Sequence, residues 1–379
     1  MKKLFFLGVI LLILFELANV FFIMPAPGSQ EIRSIDLAYF LHSRRWIIRA
    51  IVAILMLAGL WSAWKKKPVW VIFLLILSGG AIYLTQCEMS ADTMFYQTKS
   101  LSFQPAINNK FEPERLVLGI EHNGIAKAYP IQFLGYHHQV HDTLGGKPVI
   151  VTYCIVCRTG RVYEPTVNGK TDKFRLVGMD HYNAMFEDHT TKTWWRQVNG
   201  EAIAGPLKGQ TLPEFPSRQM ALETWLTLYP NTLIMQPDSN FSEEYEDISD
   251  FESGTREGRL TRRDTASWKD KSWIAGVEIG DKSKAYDWNT LMEQRVINDV
   301  VGDVPLVVFV SADQNSLFGF IRQSADQQFS FRNDTLTDGK IDYHLLGAPL
   351  TPGFQPLKML QVYQEYWHSW RTFHPDTEY

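Results

Sequence analysis

Residues 118–129 read LGIEHNGIAKAY and residues 275–286 read AGVEIGDKSKAY, and the match runs without a gap over residues 118–153 and 275–310 at a constant offset of 157. Ten of the thirty-six pairs are identical, among them Gly119/Gly276, Glu121/Glu278, Asp142/Asp299, Gly145/Gly302 and Pro148/Pro305. Further on the match returns at an offset of 145, pairing Trp225, Thr227, Pro230 and Thr232 with Trp370, Thr372, Pro375 and Thr377. The chain is an internal duplication in which each copy serves as a comparison for the other. Residues kept in both copies are most simply scaffold, while special chemistry confined to one copy is a candidate for function.

The local pattern of each copy is that of short strands. Asn123-Gly124 between two alternating runs predicts a tight hairpin, because both residues accept positive φ. Gly145-Gly146 makes a second turn before the β-branched run 148–153, which suits a buried strand. Gly280-Asp281 and Gly302-Asp303 repeat these turns in copy two. Helical patterns at 218–228 and 358–370 predict a short helix packed on the sheet near the end of each copy. The fold class is therefore α+β and β-rich, an internally duplicated domain with copies over 95–236 and 259–379. Seven acidic residues in 238–252 predict an exposed acidic linker over 237–258.

Ahead of the copies, residues 1–88 read as an all-α membrane region. Apolar runs at 4–24, 47–64 and 69–84 approach the length that spans a hydrocarbon core of about 30 Å. The first is long for a signal-peptide core and lacks a small-x-small cleavage site. Lys2-Lys3 and Lys65-Lys66-Lys67 favour a cytoplasmic N-terminus, against which Arg33, Arg44 and Arg45 weigh. The expectation is a multi-pass protein of the cytoplasmic (inner) membrane whose C-terminal domain lies outside the cytoplasm. Glu16 and Asn19 in the first run are expected to face other helices. A net charge of -4 gives no global basic surface for nucleic acid, and no glycine-rich phosphate loop indicates a nucleotide cofactor.

The copies differ most in their chemistry. His137, His138, His141, Cys154 and Cys157 in copy one stand opposite Gln294, Arg295, Asn298, Ser311 and Gln314 in copy two. Two cysteines at this spacing either chelate a soft metal or close into a disulfide. Gly160 and a strand-like run follow, so the helix-start geometry of a thioredoxin-type site is not expected. Whether residues 136–141 are helical or extended, the spacing places His137 and His141 on one face. Met179 and His181 add soft donors that favour copper before zinc. The leading expectation is a metal site of Cys154, Cys157 and His137, with His141, Met179 or His181. Thiol–disulfide exchange by the same cysteines is the second reading. The third is a recognition module for a cell-envelope partner, with a structural disulfide and Trp194 and Trp195 as a binding platform. No carboxylate spacing singles out a glycosidase pair.

The string Thr152-Tyr153-Cys154-Ile155-Val156-Cys157, with Asp142, Gly145-Gly146 and Pro148 upstream, resembles the family called domain of unknown function 3179. The downstream pattern Asp188, Thr191, Thr193, Trp195, Gln197, Gly200, Ala202 and Gly205-Pro206 resembles it too, so the likeness covers about residues 110–377. His137, Cys154 and Cys157 match the family pattern, whereas Ile155, Arg158, His141 and His189 depart from it. The resemblance implies homology and brings no activity.

Overall fold

The computed structural model describes every residue except Asn333. By their contacts the residues form two units, one of 1–96, 172–196 and 201–211 and the other of 97–171, 197–200 and 212–379. Residues 172–196 and 201–211, which belong to copy one in sequence, group with the helices.

In the first unit, helices Lys2–Phe21 and Arg45–Trp64 and the helical stretch Pro68–Glu88 are each long and apolar enough to cross a membrane. Glu16 and Asn19 are buried as expected. Glu16 meets Arg49 of the second long apolar helix at 2.7 Å, and Thr85 donates to the same carboxylate at 2.6 Å. An ion pair inside an apolar bundle satisfies two groups that lipid cannot. The same unit holds a four-stranded antiparallel sheet of Phe174–Asp180, Asn183–Asp188, Trp194–Arg196 and Ala202–Ala204. Met179 N–H donates to the carbonyl of Ile23 at 2.7 Å, an approach that Gly178 permits because any Cβ there would strike the Ile23 backbone. Trp194 packs edge-on against Tyr39 and His42.

The second unit carries the duplication. Strands Leu116–His122 and Ile125–Pro130 form the predicted hairpin, with Asn123 at φ 53° and Gly124 at φ 78°. Strands Trp273–Ile279 and Lys282–Asp287 repeat it in copy two. Each hairpin is followed by a short helix, Ile131–His137 or Trp288–Gln294, and then by a strand pair: Gln139–Leu144 with Lys147–Cys154, or Val296–Val301 with Val304–Val310. The residues shared by the copies do scaffold work. Lys127 and Tyr129 both reach Asp142 at 2.6 Å, and Lys284 and Tyr286 reach Asp299 at 2.8 and 3.0 Å. The terminal helices are Leu222–Leu228 and Trp367–Phe373, each preceded by a strand. Their Trp225 and Trp370 press on Gly119 and Gly276 and donate to Thr232 and Thr377, both at 2.9 Å. A methyl group at either glycine would overlap the indole, so Gly276→Ala is expected to cost about 1–3 kcal/mol by overpacking. Its urea midpoint, set beside that of Gly119→Ala, measures whether both copies bear the same load.

The acidic stretch departs from its expectation of an exposed linker. It folds into short helical turns, including Ser242–Asp247, and buries Asp238, Phe241 and Tyr245. Glu252 accepts a hydrogen bond from Leu116 N–H at 2.6 Å and pairs with Arg115. Aromatic residues between the acidic ones supply the apolar area that a charge count overlooks.

Candidate functional site

The strand Lys147–Cys154 is buried on both faces and ends at Cys154; a turn over 155–158 carries Cys157 before strand Thr159–Tyr163 pairs back, with Cys154 opposite Thr159. The cysteines therefore sit on a strand–turn–strand loop rather than a helix start, as the sequence indicates. Both are fully buried, and the structure holds them as thiols. Cys157 is coupled electrostatically to Cys154 and to His368, a residue of copy two.

Copy two wraps the loop. Tyr366 N–H donates to the Cys157 carbonyl at 2.9 Å, and the Lys271 ammonium donates to the Val156 carbonyl at 2.7 Å. His368 Nδ1 lies 3.0 Å from the Asp270 carbonyl, which can only accept. Nδ1 must then carry the proton, and in the neutral ring Nε2 is left as the basic nitrogen. Burial lowers the pKa of His368 and favours this neutral form, while burial raises Cys157 well above the usual thiol range. Lys271 is pushed down to about 8, again by burial. Next in sequence, the Arg158 guanidinium is buried 3.7 Å from the Trp273 ring centre, and among the described residues its Nε and Nη1 have no hydrogen-bond partner. The arrangement is a nucleophile, a base and a group that orients the base, with a second thiol in contact.

The predicted ligands distribute otherwise. Helix Ile131–His137 ends at His137, His138 takes φ 60°, and the strand starts at Gln139. The expected shared face of His137 and His141 is thus broken by a change of element between them. His137 Nε2 meets the Tyr245 hydroxyl at 2.6 Å in an aromatic nest, and His141 is half-buried opposite Ile150. Met179 and His181 belong to the other unit, where His181 meets Asp180 at 2.7 Å. Among the described residues no group of three or more His, Cys, Asp or Glu is placed to hold a metal ion. Trp194 and Trp195 are buried and donate to Glu187 and Asp188, so they present no binding platform.

His368 and Lys271 are the residues that sequence reasoning missed. Read in reverse, the duplication marks them: His368 stands opposite Glu223 at the offset of 145, and Lys271 opposite Glu114 at 157. His138, wholly buried against the Tyr136 carbonyl at 3.1 Å, has its pKa lowered to about 4 by burial. The unfolded state, with histidine near 6.5, binds more protons between these values, so stability falls as pH drops through that window. From pH 7 to 5 the expected loss is about 2 kcal/mol. Thermal midpoints of wild type and His138→Asn at the two pH values measure it; asparagine tolerates the positive φ and removes the titration.

No curated protein and no solved structure matches the chain. The family described as "Protein of unknown function (DUF3179)" matches residues 98–377, and the chain, through its duplicated region with the cysteine loop, belongs to that family.

Proposed function

We propose that Cys154 and Cys157 form a dithiol–disulfide couple in a protein anchored in the cytoplasmic membrane, with its duplicated region outside the cytoplasm. One arrangement supports the reading: two buried thiols at Cys-x-x-Cys spacing are coupled electrostatically to a histidine of copy two whose Nδ1 is fixed by the Asp270 carbonyl. In this scheme His368 Nε2 takes the Cys157 proton and the thiolate attacks one sulfur of a substrate disulfide. A mixed disulfide forms as the first substrate thiolate leaves and takes up a proton. Cys154, losing its own proton, then attacks the Cys157 sulfur, displacing the second substrate thiol. The protein loses two electrons and two protons, and the substrate disulfide gains both. Lys271 is a buried cation coupled to the thiolate that forms.

A Cys154–Cys157 metal site, copper before zinc, draws less support because no three-ligand group accompanies the cysteines among the described residues. The test uses full-length protein in mild detergent, with Cys87→Ser to remove the exposed third thiol. Equilibration in glutathione buffers is expected to show reversible oxidation of both remaining thiols, unchanged by chelator. Near one equivalent of copper or zinc, absent from Cys154→Ser/Cys157→Ser, would overturn the redox reading in favour of metal binding. Failure to cycle in any buffer would overturn it as well.

A further inference from the structure

The second unit has an open cleft of about 1320 Å³ lined by residues from Ser253 to Lys271 and by Arg371. Six of its side chains are Lys or Arg and three are Asp or Glu, in a chain whose net charge is -4. Two of the acids are already matched: Glu257 pairs with Arg262 at 3.0 Å and Asp270 with Arg371 at 2.6 Å. Among the described residues Arg263, Lys269 and Lys271 have no carboxylate within ion-pair distance, and Arg263 Nε lacks a hydrogen-bond partner. Lys271 is nine-tenths buried at the cleft wall.

The positive charge is layered behind the wall. The Arg263 guanidinium lies 4.0 Å from the Trp273 ring centre and the buried Arg158 guanidinium 3.7 Å from the same ring. Burial chiefly, with smaller repulsion from Arg263 on Arg158 and from Arg259 on Lys271, lowers their affinity for protons. Cations held close together in a concave, partly desolvated wall focus a positive potential into the cleft. Guanidinium forks match phosphate and carboxylate oxygens two at a time. The volume exceeds the roughly 300–1,000 Å³ of a common small-ligand pocket, so one isolated oxyanion would leave most of it empty.

We infer that this cleft binds a soluble polyanion, a molecule carrying at least two phosphate or carboxylate groups. Arg259, Arg263, Lys269 and Lys271 supply the contacts. The inference stands apart from the thiol chemistry, because binding needs neither cysteine, although Asp270 and Lys271 serve both the cleft and the cysteine loop.

Calorimetric titration of full-length protein in non-ionic detergent at low salt tests it, with inorganic tripolyphosphate and citrate as probes and inorganic phosphate as the single-anion control. Saturable one-to-one binding of tripolyphosphate or citrate, at least about tenfold tighter than phosphate, is expected. The tighter of the two identifies phosphate or carboxylate as the preferred group. Arg259→Gln/Lys269→Gln, two exposed positions whose change spares the core, is expected to weaken binding about tenfold or more, while Lys170→Gln, elsewhere on the same unit, leaves it unchanged. No saturable binding of either polyanion, or equal weakening by Lys170→Gln, would overturn the inference. Should the double variant misfold, the parent protein decides by whether it binds either polyanion saturably.

Discussion

Replacing Glu365 by Ala is expected to destabilise the protein by about 3–5 kcal/mol, the range for stranding one member of a buried ion pair. Glu365 meets Arg161 at 2.5 Å, with both side chains essentially inaccessible. Arg161 also donates to the Val198 carbonyl at 2.8 Å and lies 3.4 Å from the Tyr363 ring centre. An arginine cannot shed its charge, so removal of the carboxylate leaves a buried cation whose remaining carboxylate, Glu214, lies at 4.0 Å. The pair is also the charged link between copies, since Arg161 belongs to copy one and Glu365 to copy two. Beside it the equivalent residues Gln219 and Gln364 bond to each other at 3.0 Å, as two related elements do across a two-fold relation. Urea unfolding of full-length protein in detergent, followed by tryptophan fluorescence, gives the measurement. Glu365→Gln keeps the shape and one acceptor and is expected to cost less than Ala. A cost under about 1 kcal/mol for Glu365→Ala would show that the guanidinium regains water in the variant.

His368→Gln is expected to slow the reaction of Cys157 with a small disulfide at pH 7 by about 10²-fold or more, the scale of a positioned general base. Burial keeps Cys157 a thiol at neutral pH, so attack requires a proton acceptor within hydrogen-bond reach. The variant's rate should then rise with pH toward the wild-type rate as hydroxide replaces the lost base, a pH profile that a packing defect alone would not produce. Stopped-flow mixing with a chromogenic disulfide, in the Cys87→Ser background, reads both rate and profile. An unchanged rate would remove His368 from the proposed chemistry and leave Cys154 as the partner of Cys157.

Much of the local structure was legible in the residues. Asn123-Gly124 gave its hairpin because few residues accept two successive positive φ angles, and the β-branched run before Cys154 gave its strand. The three apolar runs gave three helices. The acidic stretch misled because charge density reports solvation only when apolar anchors are absent, and Phe241 and Tyr245 are such anchors. The histidine face misled because a helix end and a strand start fall between His137 and His141, and neither period alone describes that junction.

By itself the sequence determined the duplication, the three long apolar helices, the opening hairpin and buried strand of each copy and the two cysteines that distinguish copy one. These follow from periodicity, turn chemistry and comparison of one half with the other, all local along the chain. Only the tertiary structure decided that Cys157 faces His368, that Lys271 holds the cysteine loop, and that Arg161 joins Glu365. Those pairs lie more than a hundred residues apart. What brings them together is the burial of one copy's apolar surface against the other's, a force without direction along the chain that leaves no spacing to read.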